Sequence, residues 1–489
     1  MEEASGFLPR KNVLEEYVLV DQSSNHRRLK KRHNREGHLE EEEVGRPSKA
    51  VMMVVEPEQI GAREMFNEMT LNGLYETSIR DMEKLQITVA NEAEKKRKSG
   101  SKAVRDVVDL RTMLIFCAQA VAANNHTSAR EMLKQIKQHA SATGDATQRL
   151  AQCFAKGLEA RLAGTGSQLR QLLMAERLSV VEFLKAYKLY MAASCFDKAA
   201  LIFSIMTIEQ AMIGKSKVHF VDYGLNYGLH CAGLLRWLAN REGGPPEVKI
   251  TAVGHPQPRS CSAEPTEETG RRLSKCAHAF GVPFKFHAIT AKWEAVCIDD
   301  LNTDADEVLV VNDLFNFTTL MDESIFFDNP NPRDTVLKNI SKMRPDVFIQ
   351  SIVNCSYGAS FLTRFREALF YHTAMFDMFD ATTPRESEPR LLLEQGLFGG
   401  CALNAIACEG VDLMDRPEKY RQWQVRNLRA GLRQLPLNPN IVKVVRDKVR
   451  ACHHKDFLLS KEDQWLLQGW MGRILFAHST WVAQDASSE

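Results

Sequence analysis

No Cys-x-x-Cys pair occurs among the eleven cysteines, which scatter from Cys117 to Cys452. An odd, dispersed set of thiols builds neither a disulfide frame nor a zinc site; it suits small buried side chains in a reducing compartment. Cys452-His453-His454 places donors at adjacent helical positions that point apart, so no metal is expected. No stretch reaches the about 18 apolar residues of a membrane-spanning helix. The most apolar window, 199–213, is cut by Ser204, Glu209 and Gln210. Residues 1–11 hold no long apolar run, so no secretory signal is visible. These absences predict a soluble, intracellular protein without a membrane partner. Gly-x-Ser-x-Gly is also missing, which leaves an esterase-type nucleophile unsupported. Gly214-Lys215-Ser216 looks like the end of a P-loop, but Glu209 stands where its first glycine belongs and the triplet precedes a strand. Net charge is small as well: 63 basic against 62 acidic residues give +1. A uniformly basic coat is thereby excluded, while local patches stay open.

What is present is a chain of 489 residues, 44% hydrophobic, enough to fill a sizeable core. Length alone predicts two or three domains of about 150 residues each. Residues 1–105 differ from the rest. Arg27, Arg28, Lys30, Lys31, Arg32 and Arg35 lie within nine positions, and a run of glutamates follows at 40–43. Lys95, Lys96, Arg97 and Lys98 form a second basic cluster before Ser99-Gly100-Ser101. Such charge blocks repel themselves, so 1–105 is expected to be a disordered N-terminal region. Its apolar islands, 51–55 and Met65, Phe66 and Met69, are either weak local clusters or segments that order on a partner.

Order is expected from Val107. Leu110, Met113, Leu114, Cys117, Ala118 and Val121 recur at helical spacing, and further helical patterns cover 129–140, 146–163, 168–175 and 179–212. After Gly214 short apolar runs alternate with helices. Strands are predicted at 218–222, 248–253, 284–289, 308–312 and 347–353, with helices near 228–241, 266–280 and 332–343 between them. This alternation predicts a mostly parallel sheet covered on both faces. Helices near 359–379, 387–398 and 418–432 follow, and apolar runs at 403–407 and 473–478 are expected as late strands.

Charge is segregated within the ordered part. Residues 293–332 hold ten acidic side chains and no Lys or Arg, whereas 416–455 hold eleven basic and two acidic ones. Arg426, Arg429 and Arg433 are expected on one helical face, and Lys443, Arg446 and Arg450 on the next helix. This stripe is either an ordinary solvated face or a surface for DNA phosphate or an acidic partner. Leu169, Leu172 and Leu173 fit Leu-x-x-Leu-Leu, a helical docking pattern that is also common in amphipathic core helices.

The chemistry-bearing element is Val218-His219-Phe220-Val221-Asp222, a strand that runs into Gly224, Asn226 and Gly228 before a helix opens. Doubly wound folds seat a nucleotide-like ligand here, where glycines admit it to backbone N–H groups. The pattern resembles the first motif of S-adenosylmethionine-dependent methyltransferases. Asn226, however, replaces the middle glycine and crowds the approach. The next strand ends in Gly254-His255, and a histidine does not make the paired acceptor contact of a carboxylate with ribose hydroxyls. A retained fold with a lost or altered ligand loop is expected, with no cofactor.

From Val107 onward the chain resembles the GRAS family of plant transcriptional regulators, in its SCARECROW-like branch. Val107-Val108-Asp109-Leu110-Arg111-Thr112-Met113-Leu114 opens a first leucine-rich block, and Val218-His219-Phe220-Val221-Asp222 matches the VHIID block. Glu267-Glu268-Thr269-Gly270-Arg271-Arg272-Leu273 resembles the second leucine-rich block. Arg364-Phe365-Arg366-Glu367-Ala368-Leu369-Phe370 and Ile406-Ala407-Cys408-Glu409-Gly410 resemble the PFYRE block. The stretch 422–431, Gly469-Trp470-Met471-Gly472-Arg473 and Ser479-Thr480-Trp481 resemble the SAW block. The resemblance divides 106–489 into leucine repeat I (110–170), a VHIID region (187–252), leucine repeat II (268–300), PFYRE (309–403) and SAW (406–483). Departures are Gly254-His255 at a strand end where the family carries Asp, the wording of 259–265, and Gly400-Cys401 in place of the PFYRE Arg-Glu.

The resemblance implies a methyltransferase-like doubly wound sheet with an α-helical cap, and a nuclear, non-enzymatic regulator. Its implied partners are other transcription factors or GRAS proteins, sometimes DNA, with homo- or heterodimers. The basic clusters at 27–35 and 95–98 are candidate nuclear import signals. The alternatives are a small-molecule methyltransferase using Gly224, Gly228 and Asp222, and a scaffold that never touches DNA.

Overall fold

The computed structural model describes residues 57–98, 109–175, 178–225, 227–254, 266–323, 325 and 331–484. The basic cluster 27–35, the island 51–55, Asn226 and His255 lie outside them.

Periodic apolar residues build the helical part of the chain. In order, these helices are α1 (Pro57–Leu71), α2 (Leu74–Lys98), α3 (Leu110–Ala122), α4 (His126–His139), α5 (Ala146–Leu162), α6 (Gly166–Ala175), α7 (Val180–Ala193) and α8 (Phe196–Ala211). Asp109, Asn125, Asp145 and Ser179 each accept the backbone N–H three residues on, which satisfies an otherwise orphaned donor and sets the helix start. The stripe Leu110, Leu114, Cys117, Ala118 and Val121 is buried, and α3 packs on α4 and α5.

Two expectations change here. The disorder expected over 1–105 does not hold for 57–98, which form two helices that bury Phe66, Met69, Leu74 and Met82. Charge counting missed them because a few apolar residues at helical spacing suffice once a complementary face exists. The long helix expected at 179–212 is two helices meeting at 82°. The break falls at Ser194-Cys195, where Ser194 is extended and its hydroxyl accepts the Phe196 N–H.

The α/β part follows as β1 (Lys217–Tyr223), α9 (Leu229–Ala239), β2 (Glu247–Val253), α10 (Thr266–Phe280), β3 (Phe284–Ile289), β4 (Val308–Leu314), α11 (Pro332–Met343) and β5 (Val347–Val353). Then come α12 (Phe361–Thr382) and α13 (Glu388–Leu391), which runs through a π-helical stretch Leu392–Leu397 into α14 (Phe398–Ala407). The chain ends with α15 (Tyr420–Arg429), β6 (Leu432–Gln434), α16 (Pro439–Cys452), β7 (Phe457–Glu462), β8 (Trp465–Trp470) and β9 (Arg473–Ala483). All five early strands stand where the sequence predicts them. The order is β3-β2-β1-β4-β5-β9-β8-β7, with β6 beside β9. β1 to β5 are parallel, and β9, β8 and β7 add antiparallel.

The expected strand at 403–407 is instead the end of α14. A short apolar run does not distinguish a buried helix from a strand by periodicity. Here the neighbour decides: Gly157 of α5 lets the Ile406 side chain come so close that a Cβ at 157 would lie 3.0 Å from it.

Both sheet faces are covered. Val218 and Phe220 join the core beneath α8 and α9, while Val221 and Tyr223 join a second core with Trp293, Phe317, Trp423 and Trp481. The helical cap is pinned by a buried charge cluster. Glu394, in the π-helical stretch, accepts from Arg149 at 2.7 Å and from Arg390 at 2.8 Å, and both arginines are buried. Arg390 also reaches Asp380 at 3.1 Å. Breaking one member of such a cluster strands its partners in low dielectric. Glu394→Gln is therefore expected to lower stability by about 3–5 kcal/mol in urea unfolding.

Candidate functional site

The parallel strands change direction of progression between β1 and β4, and ligands of doubly wound folds bind outside the strand ends at such a point. Asp222 ends the matched VHIID strand there and is fully buried. Its oxygens are taken by protein: Asn312 Nδ2 on β4 donates to Oδ1 at 2.6 Å, and His230 Nε2 on α9 pairs with Oδ2 at 3.0 Å. Beside it, Asp313 Oδ1 accepts the backbone N–H groups of Asn316 and Phe317, and Asn316 Nδ2 donates to the Tyr223 carbonyl at 2.8 Å.

The glycine loop is equally self-contained. Gly224 and Gly228 have φ of +80° and +67°, the left-handed region that favours glycine. Gly224 N–H donates to the Val253 carbonyl at 2.8 Å, and Gly228 N–H to the Leu225 carbonyl at 3.0 Å. A Cβ at Gly228 would meet Thr269 of α10 at 2.8 Å. Leu225, Tyr227 and Leu229 are buried. The Tyr227 ring lies 4.6 Å from Phe183 of α7, in one cluster with Phe66 and Met69 of α1. A nucleotide-like cofactor therefore meets packed side chains and amides already donated to carbonyls. The described residues of this corner do not fit S-adenosylmethionine.

The other VHIID residues are structural. His219 bridges Glu307 at 2.8 Å and Thr251 at 2.7 Å, and burial holds its pKa below the usual value. Burial also disfavours the His230 cation, yet the charges and hydrogen bonds of Cys231 and Asp222 hold its pKa well above the usual value. Burial likewise raises the Cys231 pKa, against the lowering effect of His230 beside it. Asp222, His230 and Cys231 bring three donor atoms within 4.8 Å of one another.

The basic stripe comes apart. Arg426 is only 11% exposed and is held by Glu418 at 2.7 Å, Asp334 at 2.8 Å and Glu323 at 2.9 Å. Arg433 lies on β6 rather than on the helix of Arg429, because Gly431 ends that helix with φ +80°. Arg429, Arg433, Lys443 and Arg450 are exposed, and Arg446 is half-buried. Ile441, Val442, Val445 and Val449 bury the opposite face of α16. Leu169 is half-buried and Leu172 is 54% exposed on α6; the Leu173 side chain lies outside the described residues. Lys95 is exposed on α2, whose last turn carries Lys96, Arg97 and Lys98, with side chains outside the described set. Cys401 is exposed, so a charge at that position would not be buried.

The site residues that no motif marked are Asn312, Asn316 and Asp313. Asn312 reaches Asp222 and Asn316 reaches the Tyr223 carbonyl, with Asp313 holding the turn that carries Asn316, only because β4 pairs with β1, a juxtaposition without any signal in sequence spacing.

The topology and this corner define a methyltransferase-like α/β domain with a helical cap, whose ligand loop is filled by its own side chains. The chain belongs to the GRAS domain family, whose model matches residues 110–482. Scarecrow-like protein 9 of Arabidopsis thaliana is 46% identical over 382 residues, which is 78% of this chain and 53% of that protein. Scarecrow-like protein 33 of the same plant is 40% identical over 498 residues, 99% of this chain and 70% of that protein. The chain thus spans about half the length of the first relative and more of the second. The crystal structure of SCL7 from Oryza sativa matches with a TM-score of 0.63 at 25% identity, over 76% of this chain and 99% of that one.

A raised folded pKa stabilises fully below the unfolded value and is lost as pH rises through the folded one. The stability difference between wild type and His230→Gln is therefore expected to be largest below pH 6.5 and to shrink on the alkaline side, in urea unfolding at stepped pH.

Proposed function

We propose that this chain is a nuclear transcriptional regulator that works through protein contacts and has no methyl-transfer activity. One observation carries the proposal: within a GRAS-family fold, the corner that would seat a cofactor is occupied by Asn312, His230 and the buried Tyr227. The folded domain then serves as a surface, and its partners are other transcription factors or GRAS proteins, in homo- or heteromeric pairs. The methyltransferase alternative keeps only the strand order and the two loop glycines in its favour. Calorimetric titration with S-adenosylmethionine separates the two. No heat is expected at millimolar cofactor, and micromolar binding would overturn the regulator reading.

Direct DNA contact is a finer part of the proposal. It rests on the exposed cations Arg429, Arg433, Lys443 and Arg450 with half-buried Arg446. The scaffold reading draws its support from Arg426, whose charge is consumed inside the fold. Each phosphate neutralised contributes about −0.9 to the logarithmic salt slope of duplex binding. Arg429→Ala with Arg446→Ala is expected to weaken binding and flatten that slope by about 2. Unchanged affinity and slope would leave the scaffold.

A further inference from the structure

α1 and α2 precede the family-matched region, which begins at residue 110, and they lie on the ligand-loop side of the fold. Phe66 and Met69 are 3% and 1% exposed, although almost every other described side chain of α1 faces outward or sits at its edge. They insert among Leu184 and Met191 of α7, Tyr227 of the loop and Leu229 of α9, with Leu74 of α2 completing the cluster. The rim is polar and specific. Lys188 of α7 pairs with Glu68 at 2.8 Å and with Asp81 of α2 at 3.7 Å. Arg236 of α9 donates to the Leu71 carbonyl at 2.6 Å, capping the end of α1. The Arg272 guanidinium of α10 stacks 4.3 Å from the Phe66 ring.

An aromatic and a methionine in a pocket, ringed by a lysine on the helix's acid, an arginine on its C-terminal carbonyl and a second arginine over the aromatic ring, is helix-in-groove recognition. We infer that α7, the glycine loop, α9 and α10 form a docking surface for an amphipathic helix, and that α1–α2 of this chain is its resident occupant in cis. The chemistry selected is an apolar pair at i and i+3 with an acidic residue between them, as in Phe66, Glu68 and Met69. Uncovered, the surface would leave Tyr227, Leu229 and Phe183 as a contiguous apolar patch, which marks interaction sites on soluble domains. Release of α1–α2 therefore exposes the same corner of the fold that a cofactor uses elsewhere, for a helix in place of a nucleotide. Binding of a partner helix at this surface is in competition with the chain's own segment.

The test uses the full chain. Phe66→Asp with Met69→Asp should expel the segment while leaving the groove intact. Hydrogen exchange is expected to rise across 57–98 and in the loop at 225–229, with β1, β4 and β5 unchanged. A fluorescein-labelled peptide of residues 57–71 should bind this variant at least ten-fold more tightly than wild type, whose groove is filled. Equal binding to both, or binding to neither, would overturn the inference. Lys188→Glu gives an independent route that leaves the apolar contacts alone. Its released groove should hold a peptide carrying Glu68→Lys better than the native peptide, and a preference for the native peptide would equally refute the rim's role in recognition.

Discussion

A single buried carboxylate holds the centre of this fold. Asp222 sits at the end of β1 with no access to water, and an unpartnered carboxylate there would be prohibitively costly. Its two oxygens are answered by Asn312 from β4 and His230 from α9. That pair of bonds sets how β4 and the first turn of α9 stand against β1, and hence how the glycine loop between β1 and α9 is drawn. With the loop drawn this way, Gly224 and Gly228 give their N–H groups to carbonyls, and Tyr227 turns inward onto Phe183. A corner that in a doubly wound enzyme stays open for a ligand becomes part of the core.

The same logic of internal satisfaction accounts for the charge pattern. The acidic stretch 293–332 and the basic stretch beginning at 416 are opposed in sequence and joined in space. Arg416 meets Asp322 at 3.0 Å, and Arg426 meets Glu323 at 2.9 Å. Arg333 of α11, buried against Trp423, meets Glu418 at 2.7 Å. Buried pairs of this kind are weak evidence for net stability, since desolvation offsets attraction. They do specify which segment lies against which, because any other register leaves a guanidinium stranded. A basic stripe read along the chain therefore overstates the cations left for a partner: Arg416 and Arg426 serve the fold, and the exposed Lys419 and Arg421 already meet Glu367 and Glu462.

The helical cap is fastened by Glu394 between two arginines, and the sheet corner is closed. α1 and α2 are attached differently. They rest on a handful of apolar side chains and a polar rim, and they lie outside the region that defines the family. Their amphipathic pattern is thin, Phe66 and Met69 among mostly exposed neighbours, which is why the charge blocks around them dominate any reading by composition.

The sequence by itself determined the positions of the five parallel strands, most of the helices and the family, because each rests on local periodicity and on ordered motifs. It also marked the departure from glycine at Asn226, a position outside the described residues. It did not determine the helical state of 403–407 or the break at Ser194, where the packing partner decides between two local conformations of similar energy. Nor did it show that Asn312, distant in sequence, completes Asp222, or that Arg426 is spent on Glu418, Asp334 and Glu323. Those outcomes depend on which strand lies beside which and which loop meets which helix. Only tertiary structure sets these, since a hydrogen bond or ion pair between distant residues leaves no periodic trace along the chain.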